Sequence, residues 1–373
     1  MLGKAWRIAK IKGINVNIDP SWLIIFTLVT FSLGNFYFPK MYPQWTTFMN
    51  WLIGVITSIL FFVSVLLHEL AHSLVAIRQG EKVRSITLFI FGGVAQITKE
   101  PDSPGKEFLM AIAGPIGSLA IACFFFIIWI IFHTTNQPVA AIATYLSLIN
   151  IILAIFNLLP GFPMDGGRIL RSIIWKATHN LKRATFVAST LGRFLAFALI
   201  ISGIWQIFSG NFIGGLWFVF IGWFLHNAAM VSYHQVITRE MLRTLRAEDL
   251  MSPNFKKVAS DITVELLIDE YLFHGHGRNF LVMDNNELKG IVCLEDIIKV
   301  SREKRRKTLV SCIMTPKEEL HSVSSGDTGE VVLSQLSAKD VHQVPVIDNN
   351  IVKGIICRTD IIRILQLHHD LGI

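Results

Sequence analysis

The chain has 373 residues, of which 52% are hydrophobic and only 16% charged, and its mean hydropathy is +0.52. That balance excludes an ordinary soluble protein and assigns the chain to a membrane. The formal net charge of +7 calls for no nucleic acid, because cationic residues gather on the cytoplasmic flanks of membrane spans.

A helix needs about 20 apolar residues to cross about 30 Å of hydrocarbon. Six such runs occur, near 20–38, 49–77, 108–132, 139–159, 186–208 and 212–233. The third and fourth are separated only by residues 133–138, which suits a short turn. Lys4, Arg7, Lys10 and Lys12 precede the first run, and Arg78, Lys82, Arg84, Lys99 and Lys106 follow the second. Arg168, Arg171, Lys176, Lys182 and Arg183 follow the fourth, and Arg239 follows the sixth. The other three loops carry almost no positive charge, Lys40 being the exception. This bias predicts a multi-pass protein of the cell membrane with both termini cytoplasmic. No N-terminal signal peptide is expected, since the first apolar run starts late and has the length of a span.

The second run contains Leu66-Leu67-His68-Glu69-Leu70-Ala71-His72. Two imidazoles four residues apart share one face of a helix and can bind one metal ion, with Glu69 beside it as general base. Unpaired imidazole and carboxylate groups in a span cost several kcal/mol, so a functional reading is the default. Next, Val83 to Ile97 is rich in β-branched and aromatic residues and contains Gly92-Gly93, which predicts strand, turn and strand. Two readings of this hairpin stay open: an edge that receives an extended peptide, or a hairpin resting on the bilayer surface.

The fourth run ends in Asn157-Leu-Leu-Pro160-Gly-Phe-Pro163-Met-Asp165-Gly166-Gly167. Its prolines and glycines deny a continuous helix and let Asp165 approach the histidines as a third ligand. Two histidines and one carboxylate leave a tetrahedral zinc ion with one open position for water. Zinc lowers the pKa of that water, Glu69 takes its proton, and the product is hydrolysis of an amide bond. Asn157 either supports an oxyanion or freed backbone groups, or is a helix-packing amide. The non-catalytic alternative is an ion or proton relay on the same residues.

After about Tyr233 charges become frequent, and a soluble domain of roughly 130 residues follows. It contains an internal repeat. Asp284-Asn285-Asn286 recurs as Asp348-Asn349-Asn350, and Met251-Ser-Pro253 as Met314-Thr-Pro316. Gly290-Ile-Val-Cys293-Leu-Glu-Asp296 recurs as Gly354-Ile-Ile-Cys357-Arg-Thr-Asp360. Each unit predicts a helix, a strand, an Asn-Asn turn, a second strand and a closing helix. The boundaries expected are a membrane domain over 1–238, a linker over 239–246, and repeats over 247–303 and 304–373. Cys123, Cys293, Cys312 and Cys357 show no close spacing and fit a reduced cytoplasmic setting. His274-Gly-His276-Gly reads as a glycine-rich turn rather than a metal site, His368-His369 as a solvated helix end, and Lys304 to Lys307 as a solvated basic linker.

The membrane half resembles the site-2 proteases, which cut other proteins' transmembrane helices within the membrane. The resemblance rests on His68-Glu69-x-x-His72 and Asn157-x-x-Pro160-x-x-Pro163-x-Asp165-Gly166, with Ala113-Gly114-Pro115 on the third span and Gly92-Gly93 in the hairpin. It implies zinc on His68, His72 and Asp165, and Glu69 as catalytic base. Ser118 departs from the pattern, since many relatives carry asparagine there. The soluble half resembles a pair of CBS domains, modules that dock as a pseudo-dimer and often bind adenine nucleotides. In that family Asp296 and Asp360 would bind ribose hydroxyls, while Cys293 and Cys357 stand where a Ser or Thr usually meets phosphate. Both aspartates equally suit helix capping.

The fold expected is a polytopic α-helical membrane domain of about six helices with a small β-hairpin, followed by an α/β tandem CBS pair. The function expected is that of an intramembrane zinc endopeptidase that cleaves transmembrane segments of membrane-protein substrates, with a cytoplasmic CBS pair that senses a nucleotide or gates substrate access. Its partners would be those substrates, the lipid bilayer and, through the CBS domains, a second copy of the chain. The rival from another class is a CBS-gated transporter or channel using the His/Glu/Asp cluster as an ion or proton site. It requires a polar path through several spans, whereas the outer loops and most helices show no intramembrane charge besides the motif residues.

Overall fold

The computed structural model describes every residue except 1–4, 98–100, 273–278, 286, 339–340, 342, 350 and 372–373, so the His274-Gly-His276 turn lies outside the described residues. The chain divides into two units, Met1–His234 and Gln235–Ile373.

In the first unit β1 (Trp6–Ile11) and β2 (Ile14–Ile18) form a hairpin that the sequence reading did not anticipate. Its six- and five-residue strands precede the first apolar run, where only the cationic flank stood out. Lys12 and Gly13 turn the chain, both at positive φ. The first span comprises α1 (Trp22–Ser32), a π turn over Leu33–Tyr37 and α2 (Phe38–Met41). The second span is α3 (Thr47–Arg78), whose 32 residues make a helix of about 48 Å, well beyond the bilayer's apolar thickness. Thr46 caps it, accepting from the Met49 N–H at 3.3 Å.

The expected strands appear as β3 (Val83–Phe89) and β4 (Gly92–Ile97). They join the N-terminal hairpin in a sheet of order β1-β2-β3-β4, in which β2 and β3 run parallel and the other pairs antiparallel. β4 is therefore an edge strand. At the tip of the hairpin Phe91 stacks on Phe224 with ring centroids 3.7 Å apart. Then follow α4 (Pro104–Phe132) and α5 (Gln137–Asn157), α6 (Asp165–Thr178), α7 (Leu181–Phe208) and α8 (Phe212–Thr244). Among the described residues six helical segments are long and apolar enough to cross a membrane, the first comprising α1, the π turn and α2, and α6 is not one of them. Apolar side chains such as Phe194, Ile201 and Ile213 are exposed on the helices, as lipid-facing residues must be. Arg193 lies within the fifth span, an intramembrane charge besides the motif residues. α8 continues to Thr244, so most of the segment 239–246 expected as a linker is helical.

In the second unit the first repeat comprises α9 (Ala247–Leu250), β5 (Lys257–Val258), α10 (Val264–Leu266), β6 (Asn279–Asp284), β7 (Glu287–Cys293) and α11 (Leu294–Ile298). β8 (Thr315–Pro316), α12 (Gly329–Ala338), β9 (Gln343–Asp348), β10 (Ile351–Cys357) and α13 (Arg358–Leu371) complete the second. Alternation along β6 sends Phe280 and Val282 into the first repeat's core, while Leu281 faces a cluster shared with Val352 and Ile355 of the second. The duplication extends to local chemistry. Asn285 and Asn349 both take φ of 50°, and Ser260 and Ser325 bond Asp284 and Asp348 in the same way.

Candidate metal centre

Helical spacing on α3 brings the His68 and His72 rings together, with Nε2 atoms 3.3 Å apart. Asp165 arrives from a different element. After Asn157 the chain leaves the helix, Phe162 N–H donates to the Ala188 carbonyl of α7 at 3.1 Å, and α6 starts at Asp165. A side chain at Gly166 would put its Cβ 2.2 Å from the Leu158 carbonyl oxygen, so the loop can fold onto the start of α6 only because no side chain is there. Asp165 Oδ2 lies 3.2 Å from each Nε2.

Three donor atoms separated by 3.2, 3.2 and 3.3 Å form a nearly regular triangle. Zinc bonded at about 2.0–2.1 Å to tetrahedral ligands requires neighbouring donors about 3.3–3.4 Å apart, so the triangle has the dimensions of one face of that polyhedron. Tautomers agree. His72 Nδ1 is 2.7 Å from the Met110 carbonyl, which can only accept, so Nδ1 carries the proton and a neutral ring turns its Nε2 lone pair to the centre. His68 Nδ1 meets Ser118 Oγ at 2.8 Å. With the His68 ring donating from Nδ1 to Ser118 in the same way, two ring lone pairs and a carboxylate oxygen converge on one point, a donor set and spacing that fit a zinc ion.

The α4 helix closes the centre from one side. An added Cβ at Gly114 would lie 2.1 Å from His72 Nε2 and 2.7 Å from His68 Nε2, which explains the glycine of Ala113-Gly114-Pro115. At Gly93 of β4 it would lie 2.4 Å from Glu69 Cγ, so the edge strand passes directly against the Glu69 side chain. Asn157 is half-buried at the end of α5 and outside the donor triangle.

Sequence reasoning noticed Ser118 only as a departure and did not foresee its bond to His68. A backbone acceptor such as Met110 leaves no sequence signal at all. Glu107 and Arg171 were also missed as a pair: they are 64 positions apart, and Arg171 counts in sequence only as a flanking charge.

In the second unit Asp296 and Asp360 lie one turn inside their helices, accepting from the backbone N–H of Cys293 at 3.1 Å and Cys357 at 3.0 Å. Gln343 Nε2 donates to Cys293 Sγ at 3.2 Å. Burial pushes the Cys293 thiol up to about 12 and the Cys357 thiol up to about 11, so both are neutral weak donors at physiological pH.

The sequence model of peptidase family M50 matches residues 56–142 and 130–201, and that of the CBS domain matches 247–303 and 310–367. The protein sll0528 of Synechocystis is 34% identical over 365 residues, covering 96% of this chain and 95% of its own length. The chain belongs to peptidase family M50. Another relative, zinc metalloprotease MJ0392 of Methanocaldococcus jannaschii, is 32% identical over 370 residues and 98% of both chains. Among solved structures, a site-2 protease from Methanocaldococcus jannaschii is 31% identical, covers 62% of this chain and 95% of its own, and superposes with a TM-score of 0.44. This M50 member is thus a multi-pass intramembrane zinc metalloprotease that carries two CBS domains.

Proposed function

We propose that the chain hydrolyses peptide bonds within membrane-embedded segments of other proteins, with His68, His72 and Asp165 as zinc ligands and Glu69 as the catalytic base. The donor triangle carries this reading, since its spacing and the His72 tautomer suit a tetrahedral cation with one face of protein ligands. Zinc bound there supplies a Lewis acid for the scissile carbonyl and makes water a stronger acid. The remaining steps belong to the chain. Glu69 accepts a proton from the attacking water and delivers it to the amide nitrogen as the C–N bond breaks. Asn157 supports the developing oxyanion by donating from its side-chain amide. The β4 edge beside Glu69 holds the substrate as an added strand, because a peptide bond must leave its helix to be attacked.

Replacing Glu69 with Gln keeps the size of the side chain and removes the base. Cleavage of a membrane-embedded reporter is expected to fall by at least about a hundredfold, while mass spectrometry still finds about one zinc per chain. Normal turnover by that variant would exclude Glu69 as the base. Zinc that persists in both His68→Ala and Asp165→Ala would exclude the ligand set.

The CBS pair is the regulatory part of this reading: it responds to an adenine nucleotide held near Asp296 and Asp360 and alters substrate access. The likeness to CBS domains supports it, and the neutral thiols of Cys293 and Cys357 limit the phosphate contacts it can offer. ATP, ADP or AMP should raise the melting temperature and change the cleavage rate; no effect of any of the three on either quantity would end the proposal.

A further inference from the structure

One face of α4 packs against both imidazoles of the metal centre and reaches α6. Along it Glu107, Met110, Gly114 and Ser118 follow at helical spacing, and all four are buried. Met110 accepts from His72, Gly114 admits both imidazoles, and Ser118 meets His68. Glu107, the first of the series, touches neither histidine. It reaches across to α6, the helix whose first residue is Asp165.

The contact is a buried ion pair. Glu107 is 1% exposed and Arg171 5% exposed. Arg171 donates from Nε to Glu107 Oε1 at 2.7 Å, and its NH2 group contacts the same oxygen. Arg168 Nε is 3.9 Å from that oxygen, and the Arg171 guanidinium carbon lies 5.0 Å from the centroid of the Phe162 ring. Phe162 belongs to the loop that delivers Asp165, so one guanidinium ties α4, α6 and that loop together. Stability alone gives little reason for such a pair, since well-packed apolar replacements of a buried ion pair are often neutral or stabilising. Directionality does: a forked donor against one carboxylate fixes the rotation and height of α6 against α4, which apolar contacts leave loose.

We infer that Glu107 and Arg171 are positioning residues that hold the Asp165 carboxylate in register with the two imidazoles, an inference that rests on the zinc reading above. α4 sets the imidazoles through Met110 and Ser118 and sets α6 through Glu107, so a single helix aligns ligands that come from two others. Without the pair, α6 keeps its packing but the Asp165 oxygen no longer stays fixed at one vertex of the triangle.

The test uses the full chain in detergent. A single truncation strands a buried charge and threatens folding, so the main variant is Glu107→Leu with Arg171→Met, which removes both charges at similar volume. Arg171→Lys, which keeps the charge and loses the fork, is the second. Melting temperature, zinc affinity by chelator competition and the visible spectrum of the cobalt-loaded protein are measured on each. The expected result is a melting temperature near that of the native chain, zinc affinity lower by about tenfold or more, and altered cobalt bands, with Arg171→Lys intermediate. Native zinc affinity and native cobalt spectra in both variants would overturn the inference. The native chain and His68→Ala are the controls: no zinc in the native chain would defeat the metal reading itself, whereas zinc there with unaltered variants defeats only the positioning role.

Discussion

At the scale of single residues, chemistry in this protein is set by partners that hold a ring or a carboxylate in one state. Ser118 is the plainest case. Its hydroxyl, 2.8 Å from His68 Nδ1, orients that ring as the Met110 carbonyl orients His72. Such outer partners of metal ligands are typically worth tenfold to a hundredfold in metal affinity. Ser118→Ala is therefore expected to weaken zinc binding by about tenfold with little change in melting temperature, and Ser118→Asn to restore it, both read by chelator competition. Zinc affinity unchanged in the alanine variant would mean that packing against α4 alone orients His68.

At the scale of elements, the centre depends on a non-helical joint between two helices. α5 ends at Asn157 and α6 begins at Asp165, and the loop between them is pressed onto α6 where Gly166 and Gly167 lack side chains. An alanine at 166 would place its Cβ 2.2 Å from a backbone oxygen that cannot rotate away. Gly166→Ala is expected to cost about 1–3 kcal/mol, seen as a lower melting temperature, and to release zinc as Asp165 shifts. A variant that keeps both properties would show that the loop has room the geometry does not reveal. The proline and glycine pattern made the joint legible in advance. The strands β1 and β2 were not legible, because a short amphipathic hairpin ahead of a span looks like a charged flank until β2 pairs with β3.

At the scale of the whole molecule, charge bias predicts an orientation that experiment can read directly. Arg168, Arg171 and Lys176 belong to the segment assigned to the cytoplasm, and residues 133–138 to the opposite side. In a chain cleared of its native cysteines, Thr135→Cys should react with a membrane-impermeant maleimide added to intact cells, and Lys176→Cys only after lysis. The reverse pattern would invert the topology and put the CBS pair outside the cell.

Residue pattern alone was enough to reveal six candidate spans, the duplicated C-terminal part, the residues of the donor triangle and the likeness to a protease family. Each of these is carried by local periodicity or by a motif of fixed spacing: His68 and His72 share a face because a helix turns every 3.6 residues. Tertiary structure alone decided what surrounds them. The Met110 carbonyl, the Ser118 hydroxyl, the Gly93 approach to Glu69 and the Glu107–Arg171 pair join positions far apart in the chain, and their meeting follows from how α3, α4 and α6 pack. Residue identity proposes which groups can hold a metal, and packing fixes their distances, tautomers and neighbours, on which the chemistry of the site depends.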